Sequence, residues 1–122
     1  MRLPTRVHGM LDYLLGALLI AAPWLLGFAD GAAAQWVPVA VGAGVLLYSA
    51  FTDYELGLVK KLQMPAHLLL DALGGLLLAV SPWMFGFDER VWIPHVAIGL
   101  IEVATAVITN TVPGYERRRA GR

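Results

Sequence analysis

Along this chain the apolar positions come in four long runs separated by short polar breaks. The first covers residues 7–28 (VHGMLDYLLGALLIAAPWLLGF) and the second about 36–52 (WVPVAVGAGVLLYSAFT). The third covers 65–87 (PAHLLLDALGGLLLAVSPWMFGF) and the fourth 92 to about 111 (WIPHVAIGLIEVATAVITNT). A hydrocarbon core about 30 Å thick is crossed by roughly 20 mostly apolar residues of helix, so the pattern predicts four membrane spans. The bias toward Leu, Ala and Gly, without sustained period-2 alternation, argues for helices over barrel strands. The breaks at 29–35 and 88–91 are short and carry Gly or Asp, which predicts antiparallel helical hairpins.

The pattern repeats. A shift of 59 positions lays His8 on His67, Asp12 on Asp71, Gly16 on Gly75, Pro23 on Pro82, Trp24 on Trp83 and Gly27-Phe28 on Gly86-Phe87. In the even spans a shift of 56 lays Trp36 and Pro38 on Trp92 and Pro94. Repeat one is then about 7–52 and repeat two about 65–111, inside a single membrane domain over 1–122. Each unit holds two spans, so both insert with one polarity, as parallel repeats about an axis along the membrane normal. The fold class is all-α, four transmembrane helices as two parallel hairpin repeats in a bundle. Gly42, Gly44, Gly74, Gly75 and Ala79 are small enough to let helices approach closely.

Composition narrows the class. Hydrophobic residues make up 58% of the 122 and charged residues 15%, against roughly 45–50% and 25% in soluble proteins. That excludes disorder and disfavours a soluble domain. Nine Lys+Arg balance nine Asp+Glu, so no basic surplus points to nucleic acid. The absence of cysteine removes disulfides, thiolate catalysis and Cys-based metal sites.

Charge also orients the chain. Arg2 and Arg6, Lys60 and Lys61, and Arg117, Arg118, Arg119 and Arg122 fall on one side of four spans, and Arg90 alone on the other. By the positive-inside rule both termini of this multi-pass protein are cytoplasmic. Trp24 and Trp83 close the odd spans and Trp36 and Trp92 open the even ones, setting all four at the outer interface. Pro38 and Pro94 sit in a first turn, where a missing N–H is harmless. Pro23 and Pro82 fall in a last turn and predict a kink or an early helix end. The N-terminal run before Ala32-Ala33-Ala34 also fits a cleavable signal peptide; its internal copy argues against that.

Ala22-Pro23-Trp24 before Gly27-Phe28, and Ser81-Pro82-Trp83 before Gly86-Phe87, resemble the SPW-repeat family of small bacterial membrane proteins. RVHGMLDYLLG near the start and residues 52–78 are similar to the same family. The first copy carries Ala22 where the family pattern has serine. The resemblance implies a multi-span membrane protein with paired motifs, and no activity.

Six ionisable residues fall within spans, where each is a functional candidate: His8, Asp12, His67, Asp71, His95 and Glu102. His8 and Asp12 are four apart, hence on one helical face, and His67 and Asp71 repeat the arrangement. If both faces point inward, two histidines and two carboxylates converge, a set that could bind zinc or pass protons. Asp12 and Asp71 fall about a turn inside the cytoplasmic boundary, where water and headgroups reach. Pairing within each turn, or a carboxylate bond across helices, is therefore the favoured reading, and no metal or cofactor is expected. Glu102 lies about 15 Å into its span, near the bilayer centre. Either it is neutral and bonded to Tyr48 or Ser49, or it lines half of an ion path with His95. With Val39 and Leu46 at the matching places, a symmetric pore within one chain cannot use this pair, but a ring formed by several chains could.

The motif residues Pro23, Trp24, Gly27, Ser81, Pro82, Trp83 and Gly86 read as structural. Ser81 can take up a carbonyl freed by the proline ring, the tryptophan anchors the interface, and Gly–Phe turns the chain. No G-x-S-x-G, H-E-x-x-H, phosphate loop or haem-attachment motif occurs, so an enzyme is not expected. ERRRAGR, residues 116–122, is a topology signal touching anionic lipid. The sequence thus points to a structural or accessory membrane component, in contact with the bilayer and with itself or another membrane protein. A small proton, ion or solute conduit is the alternative.

Overall fold

Each apolar run folds into one helix. The computed structural model describes residues 2–109, and among these the chain is all-helical: α1 (Thr5–Leu25), α2 (Ala33–Ala50), α3 (Met64–Met84) and α4 (Ile93–Ile108). By length and composition α1, α2 and α3 can cross a membrane, and α4 is a shorter apolar helix of 16 residues. Leu14, Leu47, Leu73, Leu76, Leu100 and Val107 are all exposed. A water-soluble bundle would put polar side chains on these outer faces, whereas lipid covers apolar ones without penalty.

Close backbone contact builds two hairpins, α1 on α2 and α3 on α4. A Cβ placed on Gly42 would lie 2.6 Å from the Gly16 carbonyl oxygen, and one on Gly99 2.5 Å from the Gly75 carbonyl oxygen. The helices touch at glycine pairs, with Ala79 beside Gly99 in the second crossing. Of the small residues picked out by composition, Gly42, Gly75 and Ala79 serve this purpose. Gly44 faces open space, and Gly74 meets only Val41 at 3.8 Å. Between the hairpins Leu15, Leu19, Leu78 and Ile98 form a buried cluster.

The helix ends depart from the apolar runs for local reasons. α1 and α3 end two residues beyond Pro23 and Pro82, and Gly27 and Gly86 follow at φ of 76° and 72°. These left-handed positions suit glycine. The N–H groups of Phe28 and Phe87 bond back to the Pro23 and Pro82 carbonyls, each at 2.8 Å. So 28 and 87 are apolar without being helical. Ser81 Oγ donates to the Leu78 carbonyl at 2.7 Å, the acceptor that Pro82, lacking an N–H, leaves open four residues back. Ser81→Ala is expected to cost about 1 kcal/mol of unfolding free energy in detergent, with unchanged helix content by circular dichroism.

The predicted end of the fourth span, near 111, lies outside the described residues, as do the arginines of the C-terminal tail. Helix α4 stops at Ile108 because the chain there turns extended: Leu3 N–H donates to the Ile108 carbonyl at 2.7 Å and Arg2 to the Thr109 carbonyl at 3.3 Å. At the opposite, tryptophan-bearing end, Arg90 meets Asp30 at 2.5 Å and His95 Nε2 donates to the Ala34 carbonyl at 2.9 Å. The Ala32 N–H and the Arg90 guanidinium hold the Asp30 carboxyl below its usual range. This solvent-facing link therefore persists as pH falls through the ordinary aspartate range and is lost only in stronger acid.

Candidate functional site

His8 and Asp12 on α1, and His67 and Asp71 on α3, meet at the centre of the bundle near the chain-terminal end. All four are 0–1% exposed. The shortest contacts run between hairpins: His8 Nε2 to Asp71 Oδ2 and His67 Nε2 to Asp12 Oδ2, both 2.5 Å. The contacts within each helix are longer, 3.0 Å for His8–Asp12 and 3.2 Å for His67–Asp71. Spacing alone favours the local pair; the structure crosses the partners.

Water and headgroups do not reach these carboxylates, contrary to the depth argument. The segment after α2 folds over them. Fully buried Tyr54 lies with its ring centroid 5.3 Å from that of His67, and a Cβ on Gly9 would come within 2.6 Å of the Tyr54 ring. Thr5 Oγ1 donates to the Glu55 carboxylate at 2.7 Å, tying this cover to the start of α1.

Three further residues complete the site. Thr52 Oγ1 donates to the Tyr48 carbonyl at 2.6 Å and lies 2.7 Å from His67 Nδ1. Thr109 Oγ1 donates to the Thr105 carbonyl and lies 2.7 Å from His8 Nδ1. A carbonyl only accepts, so each hydroxyl gives up its single hydrogen there and must accept from the imidazole. Both rings therefore carry hydrogen on Nδ1 and turn Nε2 toward the carboxylates. Tyr48 Oη donates to Asp71 Oδ1, whereas Asp12 Oδ1 has no partner. Aligned by 56 positions, the even spans do not pair these threonines. A shift of 57 sets Thr52 on Thr109 and Gly42 on Gly99.

The SPW repeat domain matches residues 6–109, from the turn before His8 to Thr109 itself. The chain belongs to the SPW repeat family. Comparison with curated proteins and with solved structures returned no match. In this SPW-repeat protein the apolar helices and the family together point to a membrane protein.

The remaining candidates stay outside the four-residue cluster. His95 is buried between Phe28 and Phe87, at ring-centroid distances of 5.1 and 4.8 Å. Its Nδ1 is unpartnered. Glu102 is 1% exposed, and neither carboxylate oxygen has a hydrogen-bond partner. The expected bond to Tyr48 or Ser49 is absent, since Tyr48 serves Asp71 and Ser49 Oγ is itself unpartnered. Trp24, Trp36, Trp83 and Trp92 are half exposed, Trp83 and Trp92 lying 6.3 Å apart by ring centroids.

Proposed function

We propose that this SPW-repeat protein is a structural or accessory component of the bacterial inner membrane. In this reading it is built from two like hairpins, with both termini cytoplasmic. The observation that carries it is the reciprocal pairing of His8 with Asp71 and His67 with Asp12 in a dry interior. Polar side chains so placed fasten one hairpin to the other and fix which faces remain outward. Those outward faces are apolar and suit lipid, a second copy or another membrane protein. The crevice beside His95, lined by Leu19, Phe28, Pro38 and Pro94, has no space for a water molecule, which favours packing over passage. No catalytic role is assigned.

A conduit for protons, ions or a small solute is the second reading. It is favoured by Glu102, buried with both oxygens unpartnered, since such a carboxylate in a membrane helix is costly to keep without use. Reconstitution separates the two. The structural reading expects liposomes holding the protein to pass protons and monovalent ions no faster than empty ones, and Glu102→Gln to change nothing. Flux above that background which Glu102→Gln abolishes would replace it with the conduit. Reporter fusions test the orientation: a cytoplasm-active reporter should work at the N-terminus and fail in the turn at 88–91.

A further inference from the structure

We propose that His8, Asp12, His67 and Asp71 form a buried binding site for one divalent transition-metal ion of the zinc type. The proposal rests on the inter-hairpin clamp described above and adds an occupant to it. One ligand atom from each residue lies within 4.8 Å of the other three. The four His–Asp edges measure 2.5, 2.5, 3.0 and 3.2 Å. Ligands about 2.0–2.1 Å from a tetrahedral zinc are about 3.3 Å apart, so outward shifts of a few tenths of an ångström admit the ion.

The donor chemistry fits. Thr52 and Thr109 hold hydrogen on Nδ1 of each ring, which is how a metal-ligating histidine is oriented by its outer partner. Each Nε2 then faces two carboxylate oxygens, more acceptors than one N–H can serve, whereas two lone pairs and two carboxylates suit a cation. The ion takes the place of two hydrogens, one shared between each Nε2 and its carboxylate, which leave as protons, so two neutral imidazoles, two carboxylates and a dication keep the zero net charge that a buried site requires. Tyr48 steadies Asp71, and Asp12 Oδ1 is buried without a hydrogen-bond partner.

The test uses the full chain in detergent with a purification tag free of histidine, stripped with a chelator and equilibrated with Zn2+. One zinc per chain by elemental analysis, retained through gel filtration, is expected, together with a higher Tm. Co2+ in its place should give the visible absorption of tetrahedral cobalt. Thr52→Val and Thr109→Val keep every ligand and should weaken binding about 10–100-fold. Wild-type protein that retains no stoichiometric zinc and gives no cobalt band overturns the site. So does binding that survives His8→Gln with His67→Gln unchanged. The clamp fails separately, if removing Asp71 leaves stability intact.

Discussion

Asp71→Ala is expected to lower the unfolding free energy of the detergent-solubilised chain by about 3–5 kcal/mol, the range for breaking one member out of a buried ionic group. Asp71 accepts from Tyr48 and lies 2.5 Å from His8 Nε2 and 3.2 Å from His67 Nε2, so its loss strands the Tyr48 hydroxyl and leaves both buried imidazoles to share the single carboxylate of Asp12. Asp12→Ala should cost less, because Asp12 Oδ1 has no bond to lose. Denaturant unfolding followed by tryptophan fluorescence measures both. A loss below about 1 kcal/mol for Asp71→Ala, the range of an ordinary interhelical hydrogen bond, would mean that the quartet holds little together.

The second large effect is expected at the helix crossings. Gly99→Ala puts a methyl group 2.5 Å from the Gly75 carbonyl oxygen and 2.7 Å from the Ala79 nitrogen. Backbone atoms cannot step aside as a side-chain tip can, so α3 and α4 must separate. A cost of about 2–3 kcal/mol follows, within the range for overpacked cores. Gly44→Ala is the control: a Cβ there meets nothing within 4 Å, and removing a helical glycine stabilises by up to about 1 kcal/mol. Equal effects at the two positions would contradict the crossing geometry.

The four helices were legible because a span is a local property: about 20 apolar residues, proline near an end, glycine in the turn. The end of α4 was not, because it depends on Leu3 and Arg2, which reach the Ile108 and Thr109 carbonyls from the far end of the sequence. The site divides the same way. That His8 shares a face with Asp12 follows from a spacing of four, but nothing in that spacing says the closer carboxylate belongs to Asp71 on another helix. Apparent depth misled for Asp12 and Asp71, since burial there comes from Tyr54 and the folded segment around it, which hydropathy reads as a connection. The sequence offers Tyr48 or Ser49 as a partner for a neutral Glu102. The Tyr48 hydroxyl instead serves the more central carboxylate of Asp71, and Glu102 is left without a bond.

The two hairpins are fastened by pairs that cross between them. Double-mutant cycles on His8→Gln with Asp71→Asn, and on His8→Gln with Asp12→Asn, measure this directly. Coupling above about 1 kcal/mol is expected for His8 with Asp71, and a smaller value for His8 with Asp12. The reverse order, or additivity for His8 with Asp71, would contradict the crossed pairing.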